Sequence, residues 1–280
     1  MPELTSVQRE LSASLFAAGA RYLGDESSML AAGAPGASGA PWVELAFMGR
    51  SNAGKSTLLN ALVGGTGASL ASFVPISRRP GTTTTLDFYG AGVGPRPALV
   101  FVDTPGYGYS SRGRAAHSAW MSRIIEYLAA RADERGGRGA DGAPRALLAR
   151  VAVLVDSRRG LTRLDEDVLS ELDARAIPSH VVLTKSDLVT TVELDALAAR
   201  TAAALGGLRM PFPQLNAVSA RGGEGLQELK DTLMQTSKVH RLRRDLHERH
   251  LEQLLAQREL ENVTEKREID ESRKHASPAK

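Results

Sequence analysis

The chain has 280 residues, of which 42% are hydrophobic and 24% are charged, so it is long enough to bury one sizeable α/β core. It contains no cysteine, which excludes disulfides, zinc–thiolate sites and thiol catalysis. No apolar run approaches the roughly 20 residues that a membrane-spanning helix needs, and the formal net charge of +3 is compatible with an RNA-rich partner.

The N-terminal region, residues 1–41, has two different halves. Apolar side chains recur at helical spacing from Leu4 to Phe16, which predicts a helix that packs on the main domain. The segment lacks the apolar core of a signal peptide, and its glutamates are atypical of a transit peptide. Residues 31–41 are rich in Ala, Gly and Pro, which predicts a flexible linker.

The segment 49–56 fits a phosphate-loop pattern of Gly, four residues and Gly-Lys-Ser. An apolar run before it predicts a buried strand, and residues 56–62 predict a helix. In such a loop the glycines let the backbone wrap a phosphate, amides at the helix N-terminus donate to it, and Lys55 adds a point charge. The residues of this loop expected to bind nucleotide are Gly49, Ser51, Asn52, Ala53, Gly54, Lys55, Ser56 and Thr57.

A second apolar run, residues 99–102, predicts another strand buried on both faces, and it ends at Asp103. An acidic residue at this place in a phosphate-loop NTPase holds Mg²⁺, usually through water. We therefore expect Asp103 and Gly106 beside the nucleotide. Ser56 is expected to ligate the metal, and Lys55 to bridge the β- and γ-phosphates.

Two later strands end in residues that suit a guanine base. Residues 181–183 run into Thr184-Lys185-Ser186-Asp187. The Asp187 carboxylate can accept from both N1–H and N2–H of guanine, a donor pair that adenine lacks, and Lys185 can lie along the base plane. Residues 215–218 end at Ser219-Ala220, where a backbone amide could meet guanine O6. The order of these segments favours a guanine nucleotide over ATP.

Strands alternate with helical stretches around 115–134, 164–175, 191–205 and 224–235, which predicts a doubly wound, mostly parallel sheet. Together with the phosphate loop and the guanine segments, such a sheet resembles the P-loop GTPase (Ras-like) type. The binding residues then gather at the carboxyl ends of the strands. We divide the chain into an N-terminal helical extension with linker (1–41), a GTPase domain (42–236) and a charged helical tail (237–280). A Gly-rich stretch at 136–144 predicts a disordered surface insertion.

Four segments together resemble the EngB (YihA/YsxC) family of TRAFAC-class GTPases. They are Gly-Arg-Ser-Asn-Ala-Gly-Lys-Ser-Thr at 49–57, Pro-Gly-Thr-Thr-Thr at 80–84, Asp-Thr-Pro-Gly-Tyr-Gly-Tyr at 103–109 and Thr-Lys-Ser-Asp at 184–187. The resemblance covers roughly residues 40–235. Thr104 stands where the family more often has Leu, and the run Thr82–Thr85 is more uniform than its usual first switch. Neither departure removes a ligand.

The resemblance implies a switch that hydrolyses GTP to GDP and phosphate during assembly of the large ribosomal subunit, with Mg²⁺ as cofactor and a large-subunit precursor as partner. It places Thr83 as the second hydroxyl ligand of Mg²⁺, beside Ser56 and Asp103, and puts Gly81 and Thr82 near the nucleotide. Thr82 and Thr84 are close rivals for the role of Thr83.

Tyr107 stands where Ras-like GTPases carry the Gln that orients the attacking water. We expect its side chain to point away, so hydrolysis should be slow without help. Asn52 is a candidate helper, because an Asn at this position in related GTPases helps to bind K⁺ between the phosphates. Alternatively, Asn52 only closes the loop by hydrogen bonding. The candidate catalytic residues are Lys55, Thr83 and Asn52.

The tail mixes arginines with glutamates, and we expect a helix that is docked at its start and exposed or disordered after about residue 262. The charged face of such a helix is most often solvated. The alternative is that this face contacts ribosomal RNA or a protein partner. Four arginines flank the two switches and are either RNA contacts or solvated loop residues. They are Arg78, Arg79, Arg112 and Arg114.

Two other functions are open: a GTP-loaded placeholder with little turnover, and a switch linked to cell division that acts on protein partners. The sequence shows no lipidation motif, so we expect no membrane attachment, and we expect a monomer when the protein is free. The spread-out N-terminal region and the Gly-rich insertion favour the mitochondrial matrix over the bacterial cytoplasm, although no targeting peptide is visible.

Overall fold

A computed structural model of the chain describes residues 4–31, 42–64, 85–92, 97, 99–108, 114–132 and 146–237. The chain divides into two units, Met1–Leu242 and Arg243–Lys280, and every described residue belongs to the first. Several predictions lie outside the described residues. They concern most of the linker, the insertion at 136–144, nearly all of the tail, the first-switch residues 81–84, and Arg78, Arg79 and Arg112.

Seven strands of the described part form one sheet in the order β1-β3-β4-β2-β5-β6-β7. Strands β2, β4, β5, β6 and β7 run parallel, whereas β1 and β3 are antiparallel to their neighbours. The strands are β1 (Ala20–Asp25), β2 (Trp42–Gly49), β3 (Asp87–Ala91), β4 (Leu99–Asp103), β5 (Ala146–Asp156), β6 (Ser179–Thr184) and β7 (Asn216–Val218).

Seven α-helices of the described part surround the sheet, and those predicted from the sequence lie within a few residues of their expected positions. They are α1 (Ser6–Ala17), α2 (Glu26–Ala31), α3 (Lys55–Gly64), α4 (Arg114–Ala132), α5 (Arg163–Ala174), α6 (Thr191–Leu205) and α7 (Leu226–Ser237). The predicted doubly wound, mostly parallel sheet is confirmed for the described part of the chain. None of these helices is long and apolar enough to cross a membrane.

The core lies on both faces of the central strands. All eight residues of β2 are buried, as expected for a parallel strand that is covered on each side. One face, which includes Trp42 and Met48, belongs to a cluster with α4, α5 and α6. On the other face Phe101 stacks on Phe16 of α1 at a centroid distance of 6.2 Å, and α1 packs on α3 and α7.

The N-terminal region contributes more than the predicted helix. Thr5 and Gln8 form a reciprocal capping box that starts α1, and Leu11, Leu15 and Phe16 of the helix are buried. After it, β1 pairs with β3 and extends the sheet by one edge strand. The sequence does not predict this strand, because residues 20–25, Ala-Arg-Tyr-Leu-Gly-Asp, do not alternate strictly between apolar and polar side chains. In the structure its register shifts between Tyr22 and Gly24.

Candidate nucleotide-binding site

The phosphate loop lies between the end of β2 and the start of α3, as the sequence predicts. It turns sharply because Asn52 and Gly54 adopt left-handed backbone conformations, with φ of +68° and +98°. Gly49 approaches β5 so closely that a Cβ there would lie 2.9 Å from the carbonyl oxygen of Leu154. The backbone therefore forms a tight cradle above the N-terminus of α3, which is the place that attracts phosphate.

Lys55, the first residue of α3, points its ammonium group back across this cradle. Its Nζ donates to the carbonyl oxygen of Gly49 at 3.3 Å, and the side chain is buried. Burial lowers the pKa of Lys55, and the negative charge of Asp103 opposes this effect. A lysine ammonium held at the mouth of the loop can provide the point charge that a triphosphate needs.

Ser56 and Asp103 form a second polar pair at the same edge. The Ser56 hydroxyl donates to Oδ2 of Asp103 at 3.3 Å, whereas the buried Oδ1 has no hydrogen-bond partner among the described residues. Burial raises the pKa of Asp103 to about 6, against the opposing influence of Lys55. A buried, unpartnered carboxylate oxygen beside a hydroxyl fits a hard cation such as Mg²⁺, which prefers oxygen ligands.

The Thr-Lys-x-Asp segment is fastened directly to the phosphate loop. The Thr184 hydroxyl donates to the Ala53 carbonyl at 2.7 Å, and Nζ of Lys185 donates to the Asn52 carbonyl at 2.6 Å. These side chains reach across 131 and 133 residues of sequence. The structure therefore brings together the segment predicted to recognise guanine and the segment predicted to hold the phosphates.

The remaining predicted base contacts lie at the ends of β6 and β7. Asp187 is exposed on a single 3₁₀ turn, Ser186–Leu188, which contacts β7. The amide of Ser219 donates to the Glu224 carbonyl at 3.0 Å, and its hydroxyl accepts from the Gly222 amide. Because the Ser219 amide is already used, the Ala220 amide is the remaining candidate donor to guanine O6.

The start of the second switch pairs with the phosphate loop through its backbone. The Ser51 amide donates to the Tyr107 carbonyl at 3.0 Å, and the Tyr107 amide donates to the Gly49 carbonyl at 3.2 Å. The approach is so close that a Cβ at Gly106 would lie 2.8 Å from the backbone nitrogen of Ser51. The start of the second switch thus lies directly against the backbone of the phosphate loop.

The Tyr107 side chain is buried, and helix α5 supplies the partner of its hydroxyl. It is only 1% exposed, and its hydroxyl donates to Oδ1 of Asp165 at 2.7 Å. Burial and the charge of Asp165 raise the pKa of Tyr107 well above its usual value. The phenol is therefore a neutral core group, and it cannot orient a water molecule beside a phosphate.

Two carboxylates that the sequence analysis missed complete the site. Asp165 holds Tyr107, and Asp156, the last residue of β5, accepts from Lys185 at 2.7 Å and from Arg158 at 2.7 Å. Burial alone would raise the pKa of Asp156, but the hydrogen bonds from Arg158 and Lys185 outweigh it and hold the pKa well below its usual range. Asp156 ends a buried strand as Asp103 does, and this signal could have revealed it.

A recess of about 70 Å³ opens beside the phosphate loop, between the end of β5 and the start of α5. Its lining residues are Arg50, Ser51, Asn52, Ala53, Leu154, Val155, Asp156, Arg158, Arg159, Gly160, Thr162 and Asp165. The predicted residues Gly49, Ser51, Asn52, Ala53, Gly54, Lys55, Ser56, Thr57, Asp103, Gly106, Thr184 and Lys185 gather along this same edge of the sheet. Thr83, with Gly81 and Thr82, lies outside the described residues.

Comparisons with known proteins identify the same domain. A family model described as "50S ribosome-binding GTPase" matches residues 44–185. The probable GTP-binding protein EngB of Rhodopseudomonas palustris (strain TIE-1) is 38% identical over 192 residues, which is 69% of this chain and 79% of that protein. The corresponding EngB protein of Rhizobium meliloti (strain 1021) is 36% identical over 192 residues, covering 67% and 80% of the two chains.

Solved structures share the fold at lower identity. A crystal structure of a probable GTP-binding protein EngB has a TM-score of 0.50 and 20% identity, covering 70% of this chain and 98% of that one. Era from Aquifex aeolicus has a TM-score of 0.52 and 22% identity, covering 70% and 57%.

The EngB relatives named above are bacterial, so they give no support to the predicted mitochondrial setting and agree instead with the bacterial alternative. Their identity extends over most of their own length, and the described parts of three segments that carry the resemblance, 49–57, 103–108 and 184–187, meet at one edge of the sheet. The chain therefore belongs to the EngB family of GTP-binding proteins.

Proposed function

We propose that this EngB protein hydrolyses GTP to GDP and phosphate and acts as a switch in the assembly of the large ribosomal subunit. The observation that carries the proposal is the meeting of three groups at one sheet edge: Lys55, the pair Ser56–Asp103, and the segment 184–187. The ribosomal role is supported by the description of the matching family, a 50S ribosome-binding GTPase.

The proposed roles follow from the chemistry of each group. Lys55 bridges the β- and γ-phosphates, and Thr57, in the first turn of α3, reaches the α-phosphate. Asp187 and the Ala220 amide select guanine. Ser56 and Asp103 hold Mg²⁺, which when bound neutralises phosphate charge. Thr83 is the proposed second hydroxyl ligand, and Thr82 and Thr84 are its rivals.

We propose that hydrolysis is slow in isolation and that K⁺ accelerates it through Asn52. The buried Tyr107 supports slow hydrolysis, and Asn52 has an exposed side chain on the loop. GTP turnover in KCl and in NaCl tests the role of K⁺. Asn52→Gly is the appropriate variant, because glycine accepts the left-handed φ of +68° whereas alanine would strain it. Equal turnover rates in KCl and NaCl, together with an unchanged rate for Asn52→Gly, would refute the role of K⁺.

The proposed partner is a precursor of the large ribosomal subunit. The contacts to its RNA phosphates come from the four arginines that flank the switches, Arg78, Arg79, Arg112 and Arg114, and in part from the tail. Purified precursors should raise GTP turnover, and binding to them should weaken steeply with salt because phosphate contacts release counterions. A flat salt response and unchanged turnover would remove the ribosomal part of the proposal. The same preparation should bind GTP in preference to ATP.

A second candidate is a GTP-loaded placeholder that hardly turns over, and the buried position of Tyr107 favours it. Single-turnover hydrolysis with and without ribosomal particles separates the two functions, because a switch accelerates on the particle and a placeholder does not. We also propose that the protein acts in the bacterial cytoplasm, as the origin of its relatives suggests, and that it is a monomer when free, which light scattering can test.

A further inference from the structure

Asp156 lies at the end of the central strand β5 and is 8% exposed. Its Oδ1 accepts from Nε of Arg158 at 2.9 Å and from the Arg158 amide at 3.1 Å. Its Oδ2 accepts from Nη2 of Arg158 at 2.7 Å and from Nζ of Lys185 at 2.7 Å. The carboxylate is thus fixed by a bidentate arginine on one side, and it presents a fixed negative charge to Lys185.

The ammonium group of Lys185 lies against this charge. The backbone of Lys185 is left-handed, with φ of +59°. Its side chain passes over Gly54, because a Cβ placed on Gly54 would lie 3.8 Å from Cε of Lys185. Its ammonium group sits between the Asp156 carboxylate and the Asn52 carbonyl, at 2.7 Å and 2.6 Å. A lysine side chain has four flexible bonds, and two short contacts at its end remove most of that freedom.

We propose that Asp156 is a positioning residue for guanine nucleotide: it fixes Lys185 against the phosphate loop, so that the base-recognition and phosphate loops are assembled before the nucleotide arrives. A preassembled site loses less conformational entropy when it binds its ligand. Without the carboxylate, the ammonium group of Lys185 would lose its ion pair while the Arg158 cation stayed nearby, and the lysine would leave the loop.

The inference rests on the proposed function only as far as guanine nucleotide binding. A different role for Asp156, as an ion pair that merely stabilises the fold, predicts other results. In that case its loss would change the stability of the protein and leave the nucleotide affinity of the folded molecules unchanged. The two roles can therefore be separated by measuring affinity and unfolding on the same samples.

The test uses the full chain and fluorescent GDP and GTP. We expect Asp156→Asn to weaken the affinity for both nucleotides about tenfold and to speed GDP dissociation, while kcat at saturating GTP stays within about twofold. In a Lys185→Met background, Asp156→Asn should cause no further loss, because its effect passes through that lysine. Glu171→Gln is the matched control: it removes a carboxylate from an exposed pair with Arg175 on α5, and affinity should not change.

Additive losses in the double variant would overturn the proposal, and so would unchanged affinity in a folded Asp156→Asn protein. If that variant does not fold, Arg158→Gln replaces it, because this side chain is 47% exposed and orients the carboxylate. We then expect about threefold weaker GDP binding, and unchanged affinity would again overturn the proposal. A wild-type protein that fails to bind GDP would instead refute the proposed function itself.

Discussion

The hydroxyl of Tyr107 donates a 2.7 Å hydrogen bond to Oδ1 of Asp165, and this contact ties the start of the second switch to helix α5. The other oxygen of Asp165 accepts from the amide and hydroxyl of Thr162, at 2.8 Å and 2.6 Å. Asp165 therefore caps α5 and anchors Tyr107 at the same time. The residue that replaces the water-orienting Gln is a structural anchor.

Replacing Tyr107 by Phe should destabilise the protein by about 2 kcal/mol, because a buried carboxylate oxygen loses its donor. The GTP hydrolysis rate of the isolated protein should stay within about twofold, since the buried hydroxyl is already bonded to Asp165. Urea unfolding and turnover assays measure both effects. Tyr22→Phe is the control: its hydroxyl donates to Asp87 at 3.2 Å from a side chain that is 56% exposed, and its loss should cost less than about 0.5 kcal/mol. A large fall in turnover for Tyr107→Phe would contradict this assignment.

Gly106→Ala should impair GTP hydrolysis about tenfold or more, because its Cβ would meet the backbone of Ser51 at 2.8 Å and push the second switch away from the phosphate loop. Gly207→Ala is the matched control, since no described atom lies within 4 Å of a Cβ at that position. Steady-state turnover of both variants checks the prediction. Equal activity of the two variants would mean that the close approach of the switch is unimportant.

Ser56→Ala should weaken GDP binding about tenfold or more in the presence of Mg²⁺, because the metal loses a proposed hydroxyl ligand beside Asp103. In EDTA the variant and the wild type should bind GDP with similar affinity, since only the metal contact differs. Fluorescence titration with and without Mg²⁺ provides the comparison. An equal loss in EDTA would show that Ser56 acts on the fold or on the phosphate itself.

His180 should make stability fall as the pH drops below about 6.5. Burial, aided by the positive charge of Arg150, lowers the pKa of His180 to about 3, whereas an unfolded histidine titrates near 6.5. Between these values the unfolded chain binds one more proton, so acid favours unfolding. Between about pH 7 and about pH 5, this histidine should lower the free energy of unfolding by about 2 kcal/mol.

The variant His180→Leu isolates that contribution, because leucine can fill the buried position and does not titrate. The urea midpoint of the variant should depend less on pH over this interval than the midpoint of the wild type. Identical pH dependence of the two proteins would mean that His180 already carries its proton in the folded state or that other groups dominate.

Much of the site could be predicted from the sequence because its main segments are contiguous and each follows a buried strand. Asp103 and the segment 184–187 are found in this way. Asp156 and Asp165 could not be assigned roles, because their partners Lys185 and Tyr107 lie 29 and 58 residues away in the sequence. Only the fold brings these groups together. The local pattern also cannot show that β1 pairs with β3, since edge pairing depends on a distant strand.

The edge strand β1 also bears on how this protein can be shortened. A fragment that begins at Trp42 would retain the phosphate loop and both guanine-recognition segments, yet it would uncover the outer side of β3. The bare amides and carbonyls there would be a template for another molecule. Such a fragment is expected to self-associate through β3. In the intact chain, β1 pairs with this side of β3 and covers it.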